Sequence, residues 1–466
     1  MFALVVIWAA ELIENMWIPF KLFSSSLLLL LTITICIYLI RRLPRIGSNF
    51  FDPGFVFVIY IGSVVIPVAL IALFDFELIQ LKYYNRFVDI DIFSKTLLAH
   101  VVFIVSFSSS YMILSLNYKS HYQDHFNKFT INKIWPVLAC LGLLFHIFIQ
   151  YYYGFFSVNP WFHGGTQVLG HKVRSIGQLS GQIYQKIALL ENCLLIFGIG
   201  VVAARSSSIK IARIKLITIL LIYFAFKFFF TTERGIILII GLGAASYADI
   251  VRWNGELLTR RLVILGLIFG FGFNILTSII EHIVQYGILG VSDITDIFTI
   301  RGGVASAWIT SIIISRIDNL NMPLQHGQNY VNAIMSILPS QFYNKPIMTL
   351  SNWFANWYIP QRSELGIGYG FSPIAEGYLN ASMLGVFIHG FFIGVLASVI
   401  RYLQFGKKFK VYGAFFFSVL FSGFYKLYHV GSVNILKSFQ WKIIFTAFLI
   451  IIGYIIITSS KDTTIR

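Results

Sequence analysis

The sequence predicts an all-α polytopic integral membrane protein with about twelve transmembrane helices, at ~20 residues per span. Three observations predict it. Apolar residues make up 57% of the 466-residue chain and charged residues only 12%, with a mean hydropathy of +0.79. A soluble protein of this size needs more polar cover than that composition provides. The apolar residues also fall in continuous runs long enough to span a bilayer, and Lys and Arg gather on alternate connectors between those runs. A soluble enzyme, a disordered chain and a secreted disulfide scaffold are thereby excluded.

The runs lie near Phe2–Ile18, Ser24–Ile40, Gly54–Phe74, Ile92–Leu116, Ile134–Tyr153 and Ile183–Ala204. They continue near Ile214–Phe230, Gly235–Val251, Leu262–Ile280, Phe371–Ile400, Val411–Tyr428 and Trp441–Ile457. The first lacks a basic start and contains Glu11 and Glu14, so it reads as a span and not as a cleaved signal peptide. Residues 1–466 thus form a single multi-span membrane domain. Cys36, Cys140 and Cys193 all sit inside apolar runs and offer neither a disulfide framework nor a zinc spacing.

A net charge of +16 would raise nucleic acid as a partner in a soluble chain. Here the cations sort by side of the membrane. Arg41, Arg42 and Arg45 form one cluster, and Lys119, Lys128 and Lys133 a second. Arg205, Lys210, Arg213 and Lys215 follow, then Arg252, Arg260 and Arg261. Arg401, Lys407, Lys408 and Lys410 precede a tail with Lys461 and Arg466. By the positive-inside rule these mark the cytoplasmic face, with both termini on it.

The opposite face then carries two substantial loops, 154–182 and 281–370. The second lies between the ninth and tenth spans and is too long for a passive connector. Its Trp308, Trp353, Trp357, Tyr330, Tyr343 and Tyr358 suit a membrane surface, and Gly303–Ile317 is expected to lie in the interface as a short helix. No internal repeat is evident, which speaks against an inverted-repeat transporter.

The cations outside the cytoplasmic clusters are the informative ones. Lys172 and Arg174 sit in the first outer loop beside His163 and His171, while Arg301, Arg316, Lys345 and Arg362 sit in the second. Arg234 lies in a polar break, Thr231-Thr232-Glu233-Arg234-Gly235, between two apolar runs. A guanidinium at the bilayer edge snorkels, pairs or binds an anion. Arg converging over the membrane suits a lipid-linked phosphate, which a guanidinium grips bidentately. The plainer readings stand beside this: Arg234 pairs with Glu233, Arg316 pairs with Asp318, and Lys345 is a solvated turn residue.

The stretch from Arg362 to Asn380 is the second specific feature. Gly366, Gly368 and Gly370 allow close approach of a substrate to the backbone. Ser372 reads as a helix N-cap with Pro373 at the first helical position. Glu376 falls in the first turn and Asn380 one turn further on the same face, placed to hydrogen-bond sugar hydroxyls. Alternatively, Glu376 only complements the helix dipole. Asp89-Ile-Asp91 has a spacing used for metal in many sugar transferases, but is read as a span-boundary pair. No zinc pattern or Walker-type phosphate loop is present, which argues against ATP-driven transport.

These residues resemble the O-antigen, or oligosaccharide repeat-unit, polymerases of the Wzy type. The resemblance rests on the twelve-span plan with its large loop between spans nine and ten, and on Arg316 followed after ten residues by Gly327 and then Tyr330. It also rests on the run through Leu338-Pro339 and Lys345-Pro346 into Glu376 and Asn380, and on the break Thr232-Glu233-Arg234-Gly235. The chain departs from the family in having no second Arg-x10-Gly in the first outer loop, and Asn380-Ala381-Ser382 where Asn-Phe-Gly is usual.

The resemblance implies a GT-C-like membrane glycosyltransferase in the bacterial inner membrane. It would polymerise undecaprenyl-diphosphate-linked repeat units of O-antigen or a related surface polysaccharide on the periplasmic face. Its implied partners are the lipid-linked oligosaccharides, the bilayer, and a chain-length regulator and flippase of the same pathway, with no nucleic acid. Arg234 and Arg316 are then the candidates for diphosphate binding, with Lys172, Arg174, Arg301 and Arg362 as helpers. Glu376 is the candidate base or hydroxyl-orienting group, and Gly327, Tyr330 and Asn380 are further substrate contacts. Diphosphate leaves readily once cations stabilise its charge, so no metal or other cofactor is expected. O-antigen ligase and a lipid-linked oligosaccharide flippase remain as alternatives. The flippase would need charges at mid-membrane, not in long outer loops.

Overall fold

The computed structural model describes residues 18–43, 51–74, 88–116, 134–152, 178–230, 235–253, 256–258, 305–338, 347–358, 370–405 and 410–462, with a few isolated positions before residue 18. The expected ninth span, most of the first, and Lys172, Arg174, Arg234, Arg301, Lys345 and Arg362 lie outside the described residues.

Among the described residues every regular element is helical. In chain order they are α1 (Ile18–Ile40), α2 (Pro53–Phe74), α3 (Ile90–Ser115), α4 (Ile134–Tyr152), α5 (Gln178–Ala204), α6 (Ile209–Phe230) and α7 (Gly235–Ala248), which closes on a π-turn, Asp249–Trp253. Then come α8 (Ala305–Leu320), α9 (Gln328–Met335), α10 (Leu350–Tyr358), α11 (Pro373–Phe405), α12 (Lys410–Ser422), a 3₁₀ turn at Phe424–His429 and α13 (Ser432–Asp462). Six of these, α1, α2, α3, α5, α11 and α13, contain stretches long and apolar enough to cross a membrane. Outward-facing side chains are apolar as well: Phe148 is 61% exposed, Ile222 66% and Phe392 64%. So much exposed hydrocarbon is a surface built for lipid.

The centre of the bundle is α3 lying alongside the second arm of α11. The two helices approach closely because one presents glycine and the other serine. A Cβ at Gly390 would lie 2.7 Å from the Phe103 carbonyl, and Gly394 meets the Phe107 carbonyl and the Ser110 hydroxyl. Ser106 and Ser110 donate to the carbonyls of Phe387 (2.6 Å) and Phe391 (3.0 Å) across the seam. In lipid, small residues and such bonds replace the hydrophobic effect as the cause of helix association.

Four features differ from the sequence reading. The apolar run Phe371–Ile400 is not one span. At Ala381 (φ −156°, ψ 40°) and Ser382 (φ 51°, ψ −142°) the helix breaks. The arm 373–380 folds back on the arm 383–405, with Gly377 so close to the Gly385 carbonyl that a Cβ would sit at 2.8 Å. Second, α8 does not lie on the outside of the bundle. Ala307, Ile309, Ile312, Ile313 and Ile314 are buried against α3 and α11, and Ser311 shares a 2.8 Å hydrogen bond with Thr96. Third, α12 stops at Ser422, short of the expected Tyr428.

The fourth concerns Arg401, expected on a cytoplasmic connector. Instead it is 1% exposed, with Nε 3.5 Å from Asp52 Oδ2 and the guanidinium over the Tyr111 ring. Asp52 also accepts from Tyr111 Oη (2.7 Å) and Phe55 N (2.9 Å). This pair closes one end of the bundle, where α1 also ends at Arg41 and Arg42. At the other end lie the starts of α1 and α3, joined by Lys21 and Asp91 at 2.5 Å, together with the break in α11.

Candidate functional site

Among the described residues, polar groups of the large loop meet α3 and α11 at the end marked by Lys21 and Asp91. Ser372 caps the short arm of α11 as its sequence predicts, accepting from Ile374 N at 3.1 Å, with Pro373 as the first helical residue. The arm then ends against the segment before α9. Gln325 N donates to Leu379 O (2.9 Å), His326 N to Asn380 O (3.1 Å) and Gly327 N to the Asn380 side-chain oxygen (3.0 Å). The Asn380 amide donates in turn to Glu376 O at 2.8 Å. These bonds satisfy carbonyls that a helix end would otherwise leave orphaned. Gly327 carries φ +87°, a left-handed conformation that glycine adopts without strain, and it starts α9. Two residues read as substrate contacts, Gly327 and Asn380, therefore bond to each other and hold the large loop on the broken helix.

Glu376 is wholly buried and does not stand at an open mouth. Its Oε2 accepts from Ser432 N at 2.7 Å, and a Cβ on Gly431 would lie 3.3 Å from that oxygen. The dipole it complements is thus that of α13, a second helix, as well as that of its own arm. The other oxygen, Oε1, is buried with no hydrogen-bond partner. A carboxylate held by one oxygen keeps its capacity to accept a hydrogen bond at the other.

Tyr330, on the first turn of α9, reaches the same region and shares a 3.2 Å hydrogen bond with His389 Nδ1. Burial first, and the nearby Glu376 carboxylate second, push the Tyr330 phenol well above its ordinary range, while a hydrogen bond with Asn380 opposes them. The phenol accordingly keeps its proton at neutral pH. Behind Glu376 the 3₁₀ turn is fixed by His429 Nε2 to Tyr60 Oη (2.6 Å) and by Tyr428 Oη to His100 Nε2 (2.7 Å).

Arg316, near the end of α8, lies with its guanidinium 5.0 Å from the centre of the Trp357 ring, and Trp357 stacks in turn on Trp353. An aromatic face holds a planar guanidinium in a defined orientation. Asp318, the ion-pair partner suggested by sequence, instead meets Lys95 Nζ at 2.7 Å and accepts from Tyr378 Oη at 2.9 and 3.1 Å. Lys95 and His389 belong to this site and were not legible as such. The available signal was an isolated polar side chain inside a long apolar run.

Asp89 and Asp91 have separate local roles. Asp89 caps α3, accepting from Ile92 N at 2.8 Å, while Asp91 pairs with Lys21. Among the described residues no three His, Cys, Asp or Glu side chains cluster as a metal site would require.

What the fold and this site define is a class: a multi-pass α-helical membrane protein with a helical hairpin at one end, clasped by a polar loop. Comparison of the chain with protein-family models, curated proteins and solved structures gave no match.

Proposed function

We propose that the chain is a membrane glycosyltransferase that polymerises polyprenyl-diphosphate-linked oligosaccharide repeat units on the periplasmic face of the bacterial inner membrane. One observation carries this reading. Arg316, Tyr330 and Asn380, from the segment that resembles the polymerases, lie at one end of the bundle around a broken helix. Broken helices at membrane depth are tolerated where they line a cavity or a site, and their N-termini favour anions and carboxylates.

In this mechanism Arg316 binds the donor diphosphate and neutralises the charge that develops as it leaves. Arg234, Arg174, Lys172, Arg301 and Arg362 assist it. Glu376 Oε1, buried when the large loop clasps the hairpin, becomes reachable when that clasp opens. The acceptor hydroxyl then hydrogen-bonds to it, and it removes the proton as the hydroxyl oxygen attacks the donor sugar. The bond to diphosphate breaks as the new glycosidic bond forms. The twelve-span, GT-C-like plan with both termini in the cytoplasm belongs to the same proposal.

The decisive test is the lipopolysaccharide banding of a strain lacking the protein. Core carrying a single repeat unit is the expected result. Bare core with finished polymer held on its carrier would instead mean ligase.

Orientation has its own test. Cys140 is exposed, so it is first replaced by serine. Cysteines are then introduced at Val331, which is 54% exposed near the site, and at Ser207, which is exposed beyond the end of α5. An impermeant maleimide added to spheroplasts is expected to label the first only. Labelling of the Ser207→Cys protein alone would invert the topology and remove the periplasmic mechanism.

A further inference from the structure

A cavity of about 140 Å³ opens where the start of α3 meets the end of α8, beside the site described above. Its polar lining comprises Lys21, Asp91, Ser94, Lys95, Asp318 and Asn319. Four charged groups are arranged as two pairs, Lys21 with Asp91 at 2.5 Å and Lys95 with Asp318 at 2.7 Å. Between them Ser94, only 2% exposed, has a hydroxyl with no hydrogen-bond partner. A buried orphan hydroxyl is costly unless a ligand or water uses it.

The chemistry of this lining selects its occupant. Two carboxylates accept, two ammoniums donate, and the serine hydroxyl and asparagine amide do both. The lining carries no net formal charge, and its two carboxylates oppose entry of a diphosphate. At ~30 Å³ per water the space holds about five waters, enough for the hydroxyl-bearing edge of one ring. Asp318 also accepts from Tyr378, two residues after Glu376, so the cavity is connected to the hairpin by a hydrogen bond. We infer that it is a sugar subsite, which takes one neutral, hydroxyl-rich residue of the lipid-linked glycan. The subsite rests on the polymerase reading and adds to it the place where a sugar, as distinct from the diphosphate, is recognised.

The test is saturation-transfer NMR on the purified full-length chain in nanodiscs. The probes are the methyl glycosides of glucose, galactose, mannose and N-acetylglucosamine, with inorganic pyrophosphate as competitor. At least one glycoside is expected to receive saturation, and pyrophosphate is expected to leave it bound. Asp91→Asn should weaken binding about tenfold, the effect of losing one hydrogen bond to a charged group. Ser94→Leu, which fills the cavity, should abolish it. Asp91 is half-exposed at its side chain, 49%, so Asp91→Asn reports even where Ser94→Leu fails to fold. Absence of transfer from every glycoside, binding unchanged in Asp91→Asn, or displacement by pyrophosphate would each overturn the subsite. Sugar binding by a chain whose deletion leaves polymer length normal would overturn the polymerase reading alone. Lost polymer with no sugar bound here would overturn the subsite alone.

Discussion

Arg316→Lys is expected to lower polymerisation about a hundredfold, on the order of 3 kcal/mol of transition-state stabilisation, with the protein at its normal level in the membrane. Lysine keeps the charge but loses both the planar face that lies over Trp357 and the two-pronged fork that fits phosphate oxygens. Arg316→Ala should be as severe. Trp357→Leu should be milder than either, because the guanidinium remains but is no longer held by an aromatic face. A surface ion pair with Asp318 would have been worth under about 1 kcal/mol. The structure pairs Asp318 with Lys95 and Tyr378, so Asp318→Ala should not reproduce the Arg316 phenotype through loss of its partner. Near-normal polymer length in Arg316→Lys would end the diphosphate role and shift it to Arg234.

Arg401→Leu is expected to cost about 3–5 kcal/mol of stability, because it leaves the Asp52 carboxylate buried without its cation. Asp52 is 7% exposed and Arg401 1%, so water cannot substitute for the missing partner. The readout is the temperature at which detergent-solubilised protein loses its monodisperse peak, expected several degrees below that of the unaltered chain. Adding Asp52→Asn to Arg401→Leu removes the stranded charge and should recover part of the loss, since replacing both members of a buried pair is far less damaging than removing one. If Arg401→Leu melts like the unaltered chain, the arginine is only a topology signal and the buried pair carries no stability.

These two arginines show what could be read in advance. Both are visible in the sequence as cations beside apolar runs. Their roles differ because of residues far away in sequence: Trp357 for one, and Asp52 and Tyr111 for the other. The cap at Ser372-Pro373 was legible because a cap is made by neighbours. The break at Ala381-Ser382 was not, since neither glycine nor proline marks it and the positive φ of Ser382 is imposed by packing of Gly377 on Gly385. Glu376 is visible in the sequence as the acidic residue of that arm, yet its burial depends on the start of α13, 56 residues on.

By itself, then, the sequence determined the solvent of this protein. Mean apolarity and run length are sums over residues that each interact with lipid or water, so α1, α2, α3, α5 and α13 follow from composition alone. Tertiary structure decided everything that depends on pairs. It buried α8 inside the bundle, and it paired Arg401 with Asp52. It bonded Gly327 to Asn380, and it placed Lys95 against Asp318. The physical reason is that a buried charge or amide is satisfied by one partner at one geometry, and which residue supplies that partner is set by how the helices pack.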